Sequence, residues 1–188
     1  IQEEAERLNR FIANLLDMTR LESGAIEPRM ESVDLNDIVG SALRRASKVL
    51  ARHEVEIDLA ADLPALKLDP VLFEQVLFNL LDNAAKYAPA GTKVQLQARE
   101  ENHRVRLQVR DEGEGIPPGD LERIFDKFYR VQLADKKRAG TWLGLPICRG
   151  FVEAMGGTST AGNRSDGHGA VFTIVLPVSA ERAQERAA

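Results

Sequence analysis

The chain has 188 residues, with 25 basic and 29 acidic side chains and a formal net charge of −4. This length suffices for one domain with a hydrophobic core and a short appendage. The balanced charge argues against a protein that binds nucleic acid by neutralising phosphates. A single cysteine, Cys148, excludes an internal disulfide, fits a reducing compartment and is expected to be a buried structural thiol. We recognise no signal-peptide pattern and no apolar run of membrane-spanning length.

The first predicted element is a long amphipathic helix over 3–23, with apolar side chains at helical spacing and Gly24 at its end. It has no partner helix before it in the chain. It either docks on its own domain or forms half of an intermolecular bundle, and the early apolar stripe favours the bundle. Because the sequence begins in the middle of this pattern, we expect it to be part of a longer protein. Residues 25–33 are predicted to be a linker ending in a short strand.

The remainder alternates between helical and strand patterns and predicts an α+β fold, with a sheet covered by helices on one face. We expect the domain to span 34–179 and a polar tail to follow over 180–188. In chain order the predicted elements are a helix from the cap Asp34 to about Leu50, a strand over 54–60, a helix over 70–87, a hairpin of 93–100 and 104–111, a short helix over 119–125, a helix over 143–155, and strands over 158–161 and 170–176.

The helix predicted over 70–87 carries a narrow polar stripe on an otherwise apolar pattern. Gln75, Asn79, Asn83 and Lys86 fall within a small angular window of the helix. These side chains are either buried amides satisfied by backbone groups or a site for a metal-bound anion. In the second case, amide oxygens would suit a hard cation and the ammonium would suit phosphate.

A glycine-rich turn, DEGEGIP over 111–117, follows the predicted hairpin. Asp111 ends a strand, and the two glycines permit a sharp turn or a close approach to a ligand. A carboxylate held there can accept a hydrogen bond from the exocyclic amine of adenine, whereas guanine presents a carbonyl and would be repelled. The alternative is an ordinary turn, since Asp and Gly are common turn residues.

A second glycine-bearing turn, AGTWLGL over 139–145, leads into a helix whose amino terminus could receive phosphate. The loop before this turn is basic. It is either a solvated surface loop or a mobile flap over a polyphosphate. Its basic residues are Lys127, Arg130, Lys136, Lys137 and Arg138.

Taken in order, the Asn-x3-Asn-x2-Lys helix, the hairpin ending in DxGxG, FDKFYR, and GTxLGL before a helix form a specific series. The chain resembles the ATP-binding catalytic domain of sensor histidine kinases, of the GHKL superfamily. Residues 1–24 resemble the second helix of the dimerisation bundle in such kinases. The stretches LLDMTRLESG, FDKFYR, and ICRGFVEAMGG followed by AGNR resemble in particular the KdpD-type potassium sensors.

The resemblance implies a Bergerat-type ATP-binding α/β sandwich that uses ATP and Mg²⁺. The γ-phosphoryl group would pass to a histidine on the dimerisation helix and then to a response regulator. The chain would be the cytoplasmic catalytic portion of a homodimeric, membrane-anchored sensor. Asn83 would hold Mg²⁺, Asn79 and Lys86 would be catalytic, and Asp111 would bind the adenine amine. Phe125 and Phe128 would anchor the lid. The implied nucleotide contacts are Asn79, Asn83, Lys86, Tyr87, Asp111, Gly113, Gly115, Ile116, Phe128, Arg130, Gly140, Thr141, Leu143, Gly144 and Leu145.

Asn79 helps to choose between reactions within the superfamily. ATPases similar to these kinases carry a water-activating glutamate at its position, and an amide cannot act as a base. This favours slow hydrolysis and transfer to a delivered histidine. His53, His103 and His168 lack a phosphoacceptor context, so we do not expect the chain to phosphorylate itself.

The chain departs from the family pattern at Trp142, where GTGLGL has glycine, and at Pro146, where alanine or serine is common. Tryptophan disfavours positive φ, and proline removes a backbone donor. We therefore expect a displaced turn and reduced ATP affinity, which Trp142→Gly would restore. The alternative is that Trp142 points outward into solvent or a neighbouring chain. The alternative function is a degenerate, nucleotide-impaired domain that acts as a dimerisation or regulatory module. An ATP-driven clamp is a third reading, and Asn79 argues against it.

Overall fold

The computed structural model describes residues 2–129 and 143–178. The helices are α1 (Gln2–Glu22), α2 (Leu35–Arg45), α3 (Pro70–Tyr87) and α4 (Gly144–Ala154). The strands are β1 (Glu31–Val33), β2 (Glu54–Leu59), β3 (Leu66–Leu68), β4 (Lys93–Glu101), β5 (Arg104–Arg110), β6 (Thr158–Asn163) and β7 (Ala170–Pro177). Two 3₁₀ turns, Pro118–Asp120 and Arg123–Phe125, lie between β5 and α4. Arg130, Gly140, Thr141, Trp142 and the predicted tail over 180–188 lie outside the described residues.

The main sheet has five strands in the order β2-β4-β5-β7-β6. β2 runs parallel to β4, and the other neighbours are antiparallel. A separate two-stranded sheet pairs β1 with β3 in antiparallel fashion. The mixed sheet with its helices confirms the predicted α+β class.

The core lies between one face of the sheet and the helices. Alternate residues of β4, β5 and β7 are buried, because successive strand side chains point to opposite faces. Phe73 and Leu77 of α3 and Phe151 of α4 are buried completely or nearly so. Each such side chain contributes about 1.5–3 kcal/mol through removal of its surface from water. Cys148 is also buried, as predicted, and burial raises the pKa of its thiol to about 12.

Two predicted elements differ from the structure, and one strand was not predicted. α2 ends at Arg45 rather than near Leu50, since its last residues pass into turns in which Ser47 N–H donates to the Arg44 carbonyl. The predicted helix over 119–125 is two 3₁₀ turns, where Phe125 N–H bonds three residues back to Glu122. β3 was not predicted, although its burial alternates as expected for a strand.

α1 docks on its own domain by one face. Asn14 and Met18 are its buried residues, and a Cβ added at Gly150 of α4 would lie 2.7 Å from Leu21 Cδ1. Several apolar side chains of α1 remain exposed: Leu8, Phe11, Ile12, Leu15 and Leu16 are each at least 40% accessible. Of these, Leu8 and Phe11 line a cavity beside α3. The helix therefore docks on its own domain, as one of the two alternatives predicted, while Ile12, Leu15 and Leu16 of the apolar stripe remain exposed in the single chain. Among the described residues, no helix is both long and apolar enough to cross a bilayer.

Candidate functional site

The start of α3 is fixed by Asp69 and the proline that follows it. Asp69 Oδ1 accepts hydrogen bonds from the N–H groups of Val71 and Leu72, at 2.9 and 3.1 Å. Its second oxygen accepts from the Arg29 N–H at 2.8 Å. Pro70 occupies the first helical position, where a missing N–H has no cost. This cap sets the rotation with which α3 presents its polar stripe to the rest of the domain.

The two asparagines of the stripe have different environments. Asn79 is buried, its Oδ1 accepts from Gln75 Nε2 at 3.0 Å, and its Nδ2 donates to the Gly144 carbonyl at 3.4 Å. Asn83 is half-buried and makes no side-chain hydrogen bond to the part of the chain that the structure describes. The reading as a satisfied buried amide therefore fits Asn79, whereas Asn83 retains its full bonding capacity for a ligand.

Lys86 is engaged by a carboxylate one helical turn earlier. Its Nζ lies 2.6 Å from Asp82 Oδ2, and Arg10 of α1 lies 3.3 Å from Asp82 Oδ1. Both side chains of the Lys86 pair are mostly buried, with 26% and 13% accessible. In this conformation the ammonium expected to face phosphate is held by Asp82, which also connects α3 to α1.

A cavity of about 420 Å³ lies between α1, α2 and α3. Asn79, Asp82 and Lys86 line its α3 side, and Arg45 of α2 lies over the Phe78 ring at 4.3 Å. Four cationic side chains and two carboxylates line it, which gives an excess of positive charge. They are Arg7, Arg10, Arg45 and Lys86, with Glu4 and Asp82. Such a lining attracts an anionic group to the polar stripe of α3.

Asp111 is a buried carboxylate at the end of β5. Its Oδ1 accepts from the Gly113 N–H at 2.8 Å and from the Ala170 N–H at 3.1 Å. Its Oδ2 accepts no hydrogen bond from the described residues. Burial raises the pKa of the carboxyl, while the two N–H donors and the Arg164 guanidinium act in the opposite direction. One oxygen thus fixes the side chain, and the other is left to accept from a ligand.

The glycine turn lies directly against the end of α3. A Cβ added at Gly113 would lie 2.6 Å from the Tyr87 carbonyl oxygen, so the site accepts only glycine without displacement. Gly115 has φ of +80°, which also favours glycine. At the other end of the stripe, Gly144 meets Asn79. Since Asn79 and Tyr87 are eight residues apart, these two contacts are separated by roughly 12 Å along α3.

Among the predicted binding residues, Asn79, Asn83, Lys86 and Tyr87 lie on α3, and Gly113 and Gly144 contact it. Tyr87 is exposed at the helix end, Ile116 and Leu145 are partly buried, and Leu143 is buried. Phe125 lies in the core with the Arg149 guanidinium 3.7 Å above its ring, whereas Phe128 is 63% exposed with φ of +62°. Arg130, Gly140 and Thr141 cannot be placed, because they lie outside the described residues.

The sequence reasoning did not identify several polar residues around the site. Asp82 carried a local signal, since it precedes Lys86 by four residues and that spacing favours ion pairs on a helix. Asn163 and Arg164 belong to the AGNR stretch noted above, but that stretch did not indicate their contacts with the glycine turn, which lies about 50 positions away in the sequence. No local signal indicated the contact of Arg10 with Asp82 either, because the two residues lie 72 positions apart.

Comparison with known proteins identifies the class of domain. A model of the histidine kinase-, DNA gyrase B-, and HSP90-like ATPase family matches residues 68–180. This match covers more than half of the chain, which therefore belongs to that family.

Individual relatives agree with this assignment. The sensor protein KdpD of Escherichia coli K12 is 41% identical over 94% of this chain and 20% of its own length. The solved structure of full-length ShkA in complex with AMPPNP is 30% identical with a TM-score of 0.80, over 93% of this chain and 36% of that one. The structure of the Acinetobacter baumannii histidine kinase AdeS is 26% identical with a TM-score of 0.76, over 95% of this chain and 82% of that one. The chain spans about a fifth of the length of the KdpD proteins it matches. These matches to sensor kinases do not favour the degenerate-module alternative.

Gly113→Ala is expected to destabilise the domain by about 1–3 kcal/mol, because the new methyl group must displace the Tyr87 carbonyl or the turn. Urea denaturation measures this change. Gly119→Ala is the matched control, since a Cβ there meets nothing within 4 Å. Equal stability of the two variants would contradict the close packing of the turn on α3.

Proposed function

We propose that this chain is the ATP-binding catalytic part of a sensor histidine kinase, which transfers the γ-phosphoryl group of ATP to a histidine. Family membership and the similarity to KdpD support this proposal. The observation that carries it is Asp111, whose Oδ1 is held by two backbone N–H groups while its Oδ2 is unengaged among the described residues. A fixed carboxylate acceptor beside a glycine turn selects a base with an exocyclic amine, and adenine is such a base.

The donor set on α3 fits Mg²⁺ bound to a triphosphate. Asn83 is our candidate for the metal ligand, because its amide makes no side-chain hydrogen bond to the described residues, while Asn79 is engaged by Gln75 and Gly144. A neutral amide oxygen suits a hard cation that already carries an anionic ligand. When bound, Mg²⁺ would neutralise charge on the phosphates. The role of Asn79 is then to hold the start of α4 against the stripe.

Lys86 would change partners when a nucleotide binds. Its ammonium pairs with Asp82 in this structure, and a triphosphate is a stronger competitor because it carries more charge. Asp82 would keep Arg10 as its partner after the exchange. In this proposal Lys86 contacts the phosphates, as the resemblance implies, and the cavity beside it admits the terminal phosphate.

The reaction we propose is transfer rather than hydrolysis. Asn79 cannot remove a proton from water. The three histidines are poor acceptors: His53 Nε2 lies 3.2 Å from the Ala85 carbonyl, and His103 and His168 lie in turns of the sheet. The acceptor is therefore a histidine delivered from outside this sequence.

The remaining parts of the proposal concern the whole protein. We propose residues 1–24 as the second helix of a dimerisation bundle, 25–33 as a linker and 34–179 as the catalytic domain. The exposed apolar face of α1 would pack in a homodimer. Transfer from the histidine to a response regulator would follow in the cytoplasm.

Asp111→Asn is expected to weaken ATP binding roughly 10- to 100-fold, because it replaces a charged acceptor that is worth about 1.5–3 kcal/mol. Isothermal titration of the chain with ATP and Mg²⁺ measures this loss. Asp62→Asn is the control, since Asp62 is exposed and forms no ion pair among the described residues. Unchanged affinity in Asp111→Asn, or absence of saturable binding by the parent chain, would contradict adenine recognition.

Asn83→Ala is expected to weaken ATP binding about tenfold with Mg²⁺ present and to have little effect in EDTA, since it removes only a metal ligand. The titration is carried out once with Mg²⁺ and once with EDTA, so that the affinity of each variant in EDTA is the control for its affinity in Mg²⁺. A loss of equal size in both buffers would assign Asn83 to the nucleotide or to the fold instead.

Transfer is tested with a supplied two-helix bundle that carries a phosphoacceptor histidine. With radiolabelled ATP, the chain is expected to label the bundle at an acid-labile, alkali-stable position, and a bundle with alanine in place of the histidine remains unlabelled. Release of free phosphate without labelling would favour hydrolysis over transfer.

A further inference from the structure

The connection between β6 and β7 encloses the glycine turn. Asn163, the last residue of β6, reaches across with both ends of its carboxamide: its Oδ1 accepts from the Ile116 N–H and its Nδ2 donates to the Ile116 carbonyl, each at 2.7 Å. These are the two bonds that a backbone partner would make in a strand pair. A single side chain therefore fixes the position of Ile116.

Arg164 holds the opposite end of the same turn. Its guanidinium donates to the Asp111 carbonyl at 3.4 Å and lies 3.6 Å from Glu112. Asp166 holds the guanidinium from the other side at 3.1 Å and also accepts from Arg110 at 2.7 Å. The side chain of Arg164 is only 12% accessible, so most of its guanidinium is held within this network.

The start of β7 completes the enclosure. The Asp111 N–H donates to the Ala170 carbonyl, and the Ala170 N–H donates to Asp111 Oδ1. Gly169 has φ of +129°, and a Cβ there would lie 1.9 Å from the Asp111 carbonyl oxygen. The carboxylate of Asp111 is thus tied to β7, whereas Ile116 at the far end of the turn is tied to Asn163.

We propose that Asn163 is a positioning residue for purine recognition and acts through Ile116. This inference rests on the proposed function, because it concerns the same nucleotide site. Gly113 and Gly115 give the turn conformational freedom, and the two Asn163 bonds restrict it to one arrangement relative to Asp111. Without them, ordering of the turn would occur on binding and would reduce affinity.

The effect should fall on recognition of the base more than on folding. Asn163 is exposed, so truncation of its side chain leaves no core cavity. The bond between Asp111 and the purine amine depends on alignment, and a displaced turn would misalign it. A nucleotide without that amine has no such bond to lose.

The test compares ATP with purine riboside triphosphate, which lacks the exocyclic amine, by titration of the chain in the presence of Mg²⁺. Asn163→Ala is expected to bind ATP about tenfold more weakly, since two hydrogen bonds are lost. The ratio of its affinity for ATP to its affinity for the analogue is expected to fall by about threefold or more. Asn163→Asp is expected to lower both the ATP affinity and the preference for ATP over the analogue, because its carboxylate has no donor for the Ile116 carbonyl. Ser165→Ala, at an exposed position in the same loop, is the control and should match the parent chain.

Thermal unfolding of each variant separates positioning from stability. Equal losses for both nucleotides together with a lower unfolding temperature would overturn the inference and leave Asn163 with a structural role. Unchanged affinity and preference in Asn163→Ala would overturn it as well, while the proposed function would stand. Should Asn163→Ala fail to fold, Asn163→Asp decides the question by the same criteria. Failure of the parent chain to bind either nucleotide would overturn both this inference and the proposed function.

Discussion

The structure depends on the double role of α3, which is both a core helix and the wall of the site. Phe73, Leu77 and Leu81 are completely buried and fix the helix against the sheet and its neighbours. A buried polar side chain on such a helix needs a partner, because water does not reach it. Asn79 bonds within the domain and Lys86 pairs with Asp82, and both contacts orient elements around the site. Because α3 is fixed in the core, the side chains proposed to bind phosphate are also held in place.

A second constraint is the buried carboxylate of Asp111. Burial disfavours its charged form, and the bonds from Gly113 and Ala170 offset part of that cost. Two donors on one oxygen also remove rotational freedom from the side chain. The same bonds that make the charge tolerable therefore aim the second oxygen, which suits a group that must recognise a base in a fixed orientation.

Local patterns in the sequence predicted the parts of the site that lie within one element. The spacing of Asn79, Asn83 and Lys86 required only helix periodicity, and Asp111 required only a strand followed by glycines. The sequence could not predict contacts that depend on tertiary register, such as Asn163 with Ile116, which lie 47 positions apart. It also misjudged the end of α2 and the turns before Phe125, where hydrogen bonds three residues apart replace those of a helix.

The docking of α1 reconciles the two alternatives that its sequence left open. Within the described residues, Met18 is the one buried apolar side chain of this helix, Leu21 packs against α4, and Arg10 pairs with the mostly buried Asp82. The exposed pair of Lys48 with Glu6 contributes only about 0–1 kcal/mol. Ile12, Leu15 and Leu16 stay exposed on the docked helix. Docking of α1 on its own domain through one side therefore leaves these side chains available for the bundle proposed above, and Asp82 links the docked helix to the proposed phosphate site.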